Sequence, residues 1–183
     1  MQKRKFHLQD IILIAVMAIV FGAIFVGTDY LYNALYIVIG PFANEVLFGL
    51  WIMAGPLAIF MTRIPGAAIV GEVLGAAAEV IFGGTFGIAA LLSGIVQGIG
   101  SEVGFTIWRY KRWDWVSLLT SSVTTTIVAF TYEVFKLGYI HYSLPMIAAL
   151  FAVRLVSVIF FGTVLVHSVY SLLERSRVLK FDR

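Results

Sequence analysis

The sequence predicts an all-α integral membrane bundle of six transmembrane helices with both termini cytoplasmic. Three observations carry that expectation. Of 183 residues, 61% are hydrophobic and only 13% charged, with a mean hydropathy of +0.97. A soluble domain carries about 25% charged residues, so this chain lacks the polar surface to face water all round. Six stretches supply the ~20 mostly apolar residues that a spanning helix needs. Lysine and arginine gather at alternate segment ends, as the positive-inside rule requires. Strand periodicity is missing, and the composition leaves no room for a soluble domain or a long linker, so a single transmembrane domain over residues 1–183 is expected.

The first helix is expected at 8–30, after Lys3, Arg4 and Lys5. Its apolar run is longer than a 7–15-residue signal core and no small-residue cleavage site follows, so it reads as a retained helix. The second is expected at 44–62, the third at 65–82 and the fourth at 86–108. The fifth falls at 115–135 and the sixth at 143–173, the last long enough to tilt or protrude. Arg63, then Arg109, Lys111 and Arg112, then Arg175, Arg177, Lys180 and Arg183 mark the cytoplasmic side; only Lys136 and Arg154 fall elsewhere. The outer connection at 29–43, DYLYNALYIVIGPFA, reads as an apolar loop folded over the bundle. Loops of that length are often lids, which makes Tyr30, Tyr32 and Tyr36 lid candidates; the alternative is an aromatic interface belt.

The chain is organised around residues 65–109, apolar enough for lipid yet carrying Glu72, Glu79, Gln97 and Glu102 among Gly66, Gly71, Gly75, Gly94, Gly98 and Gly100. An ionised group at bilayer depth costs at least ~2.5 kcal/mol and usually faces a cavity, a partner or a ligand. Small residues let helices approach closely. The stretch therefore reads as the wall of a binding site. Glu72 and Glu79 are two turns apart and share a face. Gln97, Glu133 and Arg154, with Asn44, Glu45 and Trp51 of the second helix, fall at depths that could converge in the outer half, whereas Glu102 lies ~24 Å down its helix, near the cytoplasm.

Within the spans, Glu72, Glu79, Glu102 and Glu133 face one arginine, Arg154. A buried charge needs a partner, and Arg154 could pair with Glu72, with Glu79 or with a ligand. The acidic surplus suits a small cationic heterocycle, with Trp51 and Tyr132 stacking on it. Zero cysteines exclude disulfides and thiolate metal sites. His141 and His167 lack a companion at ligand spacing, and no cofactor is expected. The basic residues sit at segment ends rather than on one face, which excludes a nucleic-acid footprint. The Ser/Thr run 117–126 reads as close packing and carbonyl satisfaction rather than a nucleophile. No Walker, Rossmann or nucleophile-elbow fingerprint occurs; the enzymatic alternative is a Glu pair acting on a lipid or prenyl substrate. A small-residue stripe, Ala15, Ala18, Gly22 and Ala23, offers either a partner-docking surface or internal packing.

With these features the chain resembles the substrate-binding S-components of energy-coupling factor (ECF) transporters over nearly its whole length. In overall sequence it looks most like the YkoE type, associated with thiamine or its hydroxymethylpyrimidine precursor. The family's Ala-x-x-x-Ala docking motif corresponds to AVMAIVFGA, residues 15–23, which departs from it: Ala15 is followed four later by Ile19, and Ala18 by Gly22. The resemblance implies a vitamin binder of the bacterial cell membrane that works with a coupling transmembrane protein and two ATP-binding-cassette ATPases. It implies no enzymatic activity. Glu72, Glu79 and Glu133 are then expected to accept from the ligand, with Glu45 and Arg154 nearby. Gln97 would orient the ligand, and Trp51 and Tyr132 would stack on it.

Overall fold

A computed structural model describes residues 7–175; the basic residues at 3–5, 177, 180 and 183 lie outside the described residues. Among the described residues the structure is helical throughout, with no strand. Helix α1 runs Leu8–Ile39, α2 Phe42–Trp51, α3 Ala54–Thr62, α4 Ala67–Ile81, α5 Ile88–Ile107 and α6 Trp115–Lys136. A short 3-10 turn at Tyr139–His141 leads to α7, Leu144–Ile159, which continues through a π-helical segment, Phe160–Leu165, into α8, Val166–Arg175. Five helical runs are long and apolar enough to cross a membrane: α1, α2 with α3, α5, α6, and α7 through α8. The remaining segment, α4, has 15 residues, about 22 Å of helix. That is shorter than the ~30 Å hydrocarbon core.

The expected outer loop at 29–43 is not a loop. Helix α1 continues for 32 residues, because nothing between Asp29 and Ile39 breaks a helix. The first breakers are Gly40, in the positive-φ region at 55°, and Pro41. The chain turns there in two residues and enters α2. The second expected helix is instead two. Pro56 has no N–H and its ring collides with the carbonyl four residues back, so the helix opens at Ile52 and Met53 and restarts as α3.

That interruption leaves orphan donors at the start of α3, and the α4 start has its own after the αL residue Arg63 and Gly66. Two buried glutamates from neighbouring helices satisfy them. The Glu72 carboxylate accepts the Gly55 N–H. Glu102 accepts Gly66 N at 2.6 Å and Ala68 N at 3.1 Å. Negative charge is favoured at a helix N-terminus by the orphan N–H groups and the dipole together. Replacing Glu102 with Ala is expected to cost about 1–2 kcal/mol, the range of a lost helix cap. In detergent, that loss is readable as a lower midpoint of thermal unfolding.

The bundle is close-packed where small residues meet. Gly22 of α1 lies against Ala78 and Glu79 of α4, and Gly98 of α5 lies 2.7 Å, as measured to a hypothetical Cβ, from the Ile69 Cα. Helices α5 and α6 meet along Gly100, Gly104 and the Ser/Thr run. Thr124 Oγ1 donates to Gly100 O at 2.8 Å, Ser121 Oγ to Ser101 O at 3.0 Å, and Thr125 Oγ1 to its own helix carbonyl at Ser121, 2.7 Å. The run does what the sequence suggests: it satisfies carbonyls and brings two helices together. Asp114 starts α6 as its N-cap, accepting Ser117 N at 3.1 Å. The core lies around α3, whose nine residues are all buried.

Candidate functional site

A cavity of about 120 Å³ opens between α1, α2, α4, α5 and α6. Its apolar wall is aromatic: Phe25 and Tyr32 from α1, Phe48 and Trp51 from α2, and Phe86 just before α5. Three of these rings form one cluster. Tyr32 lies 5.9 Å from Trp51 and 5.4 Å from Phe86, and Trp51 meets Phe86 edge-on at 5.8 Å. The polar lining is sparse: Asn44, Glu79, Ser93, Gln97, Glu133 and, at the rim, exposed Lys136. Small-residue packing of α1, α4 and α5 holds these walls together, so the glycines of the 65–109 stretch build the cavity indirectly.

Charge is distributed differently from the sequence expectation. Arg154, fully buried on α7, makes a bidentate pair with Glu45, through Nε to Oε2 and through Nη2 to Oε1 at 2.8 Å. The same Nη2 reaches Glu133 Oε2 at 2.5 Å. Asn44 Nδ2 donates to both carboxylates, at 3.1 and 2.9 Å, and Tyr139 donates its hydroxyl to Glu45 at 3.0 Å. Burial, with the Glu45 carboxylate beside it, raises the Tyr139 hydroxyl well above its ordinary value, which keeps it a donor. The guanidinium also lies over the Phe48 ring at 3.9 Å. Arg154 therefore pairs with Glu45 and Glu133, not with Glu72 or Glu79. Glu45 and Glu133 are both buried.

A second acidic group emerges that sequence reasoning placed in a loop. Asp29 is fully buried. Its Oδ1 accepts Trp51 Nε1–H at 3.0 Å and its Oδ2 accepts the Thr85 N–H at 2.8 Å. The Glu79 side chain lies beside it, across Gly84. The pair is tightly enclosed: a side chain at Gly84 would meet Glu79 Cγ at 2.6 Å and Asp29 Oδ2 at 3.0 Å. Oε1 of Glu79 is buried and has no donor from the protein. The available signal was a lone acid 21 residues into an apolar helix with no breaker for ten residues beyond it.

The sequence-chosen residues thus divide. Glu79, Glu133, Gln97, Trp51 and Tyr32 line the cavity. Glu72, Glu45 and Arg154 do not: the first caps α3, and the other two form the ion-pair cluster behind Asn44 and Glu133. Tyr132 does not line the cavity and carries Lys136 over its ring at 5.3 Å; the ring beside Trp51 is Tyr32 instead. Tyr30 and Tyr36 stand on exposed helix surface rather than on a loop. Of the small-residue stripe, Ala18 and Gly22 are buried in the bundle against their own neighbours, which removes them from any docking face, while Ala15 and Ala23 remain exposed.

A membrane bundle that encloses one aromatic-walled polar cavity between its helices is the architecture of a substrate-binding transport subunit. Comparison with solved structures supports that class. A crystal structure of an S-component of an ECF transporter superposes with a TM-score of 0.91 at 29% identity, covering 95% of this chain and 88% of the other. The model of a family described as ABC-type cobalt transport system, permease component, matches residues 9–128, and this chain belongs to that family. A Bacillus subtilis (strain 168) relative, provisionally named HMP/thiamine permease protein YkoE, is 30% identical over 154 residues, 84% of this chain and 77% of the relative. The chain is a multi-pass cell-membrane transport subunit, and the enzymatic alternative finds no support in its family or fold.

Proposed function

We propose that this subunit captures thiamine or its hydroxymethylpyrimidine precursor from outside and hands it to an ECF module for ATP-driven uptake. The observation that carries the reading is the cavity's own composition. Three clustered rings share its lining with the Glu79 carboxyl group, and among the described residues Glu79 has no ion-pair partner. A flat heterocycle stacks on such a wall, and a carboxyl group accepts its amino group or its positive charge. The volume has room for roughly ten water-sized atoms, about one substituted ring. One ring fills it, and the other ring of thiamine would extend toward the mouth.

Six crossings with cytoplasmic termini complete the proposal, with α4 as the short crossing packed between α1 and α5. Support for the orientation comes from the basic ends gathered together. Arg63 Nη2 reaches the Tyr170 hydroxyl of α8 at 3.5 Å, and Trp115 at the start of α6 stacks edge-on against His167 at 5.4 Å. The implied partners are a coupling transmembrane protein and two ATP-binding-cassette ATPases, met in part through the exposed α1 face that holds Ala15, Val16, Ile19 and Ala23.

Titration calorimetry of the detergent-purified chain tests the ligand. Submicromolar binding of thiamine or hydroxymethylpyrimidine is expected, weakened roughly 5–150-fold by Trp51→Ala, since base–aromatic stacking contributes about 1–3 kcal/mol in comparable sites. Binding no tighter than micromolar for every thiamine-related compound would sink the proposal.

A further inference from the structure

We infer that Asn44 selects the amino edge of the ligand, because the Arg154 cluster behind it locks its amide with only the carbonyl oxygen toward the cavity. The inference rests on the ligand reading above and adds to it the group that tells an N–H from a carbonyl. An asparagine amide can ordinarily turn over and offer either two donors or an acceptor. Asn44 is denied that choice. Its Nδ2 donates one hydrogen to Glu45 Oε1 at 3.1 Å and the other to Glu133 Oε2 at 2.9 Å. Both of those oxygens also accept from Arg154 Nη2, and Glu45 Oε1 accepts the Tyr139 hydroxyl as well. Each is thus held as an acceptor by other donors. A turned-over amide would set its carbonyl against two carboxylate oxygens, exchanging two charge-assisted hydrogen bonds for two repulsive contacts.

The other end of the amide is open. Asn44 lines the cavity, and among the described residues no donor reaches its Oδ1. Among those residues the fully enclosed side-chain oxygens that lack a donor are Oε1 of Glu72 and Oε1 of Glu79. Asn44 Oδ1 therefore keeps accessible surface, and the space beside it is the cavity. Glu133, the lining group next to it on α6, is an acceptor too. Gln97 on the far wall differs: neither end of its amide is bonded to a described residue, so it can turn to suit either edge of a ring. The Asn44 corner accepts and does not donate. An amino group on a ring, as on the pyrimidine of thiamine and of hydroxymethylpyrimidine, satisfies Oδ1. A ring carbonyl at the same place sets oxygen against oxygen and leaves a buried acceptor unpaired. Arg154 and Glu45, which do not line the cavity, act on the ligand through Asn44 and are positioning residues.

Calorimetry of the detergent-purified chain with two compounds reads the selection: thiamine, and its analogue with a ring carbonyl in place of the amino group. The unmodified chain is expected to bind thiamine roughly 10–100-fold more tightly than the analogue. Asn44→Ala should narrow that ratio to less than about threefold, mainly by weakening thiamine. A second variant, should the first not fold, combines Arg154→Met, Glu45→Gln and Glu133→Gln. It replaces both carboxylates by amides that donate as well as accept, so Asn44 is free to turn and the ratio should narrow there too. A cluster that only stabilised the fold would leave the ratio unchanged. Equal binding of the two compounds by the unmodified chain overturns the inference and leaves the ligand reading standing. So does a ratio that either variant leaves as wide as in the parent. Binding of neither compound overturns the ligand reading, and the inference with it.

Discussion

Replacing Arg154 with Met lowers the thermal unfolding midpoint of the purified chain by roughly 6–20 °C. The magnitude follows from what the substitution leaves behind. Arg154 is fully buried and holds Glu45 and Glu133 through three hydrogen bonds. Without it two carboxylates stay in the bundle interior, and removing one partner of a buried pair costs about 3–5 kcal/mol. For a chain of this size each kcal/mol shifts the midpoint by about 2–4 °C. The structure also specifies the rescue. Glu45→Gln and Glu133→Gln, added to Arg154→Met, replace an ion cluster by neutral groups that still accept from Asn44 and Tyr139, and should restore most of the midpoint. A fluorescence-detected unfolding series over the single and triple variants decides it. An Arg154→Met protein as stable as the parent would mean that the cluster contributes nothing to the fold.

That cluster also shows what the sequence disclosed and what it hid. Apart from the long α1 and the break at Pro56, hydropathy placed helices within a few residues of their ends, because lipid leaves the backbone no alternative to internal hydrogen bonding. Glu79, Gln97, Glu133 and Trp51, which line the cavity, were legible as candidates from polarity or aromatic character at depth. Pairing was not legible, since which glutamate meets Arg154 depends on helix rotation, and rotation follows from contacts such as Gly22 on Ala78 that no spacing encodes. Glu72 looked like spare acid for a ligand, and Glu102 like a residue set apart near the cytoplasm. Both are occupied by the N–H groups of helix starts, a need created by Pro56 and by the turn at Arg63–Gly66 rather than by any feature of the glutamates. Asp29 was misplaced for the converse reason. A charged residue beside tyrosines reads as an interface, and only the tertiary donors Trp51 and Thr85 make burial tolerable there.

Glu79→Gln should separate the charge of the site from its hydrogen bonding. The amide keeps an oxygen that can accept and gains an NH2 that can donate. Local geometry is therefore retained, and the fold is expected to be about as stable as the parent's. Affinity for a cation should fall roughly 10–100-fold, since a hydrogen bond to a charged group is worth about 1.5–3 kcal/mol. A neutral aminopyrimidine should lose less than tenfold, because the acceptor survives. Parallel titrations with thiamine and hydroxymethylpyrimidine give the ratio of the two losses. Equal losses would mean that Glu79 acts by shape alone. A variant that binds thiamine undiminished would remove the Glu79 carboxyl group from the site altogether and leave the aromatic wall of Tyr32, Trp51 and Phe86 as its main basis for recognition.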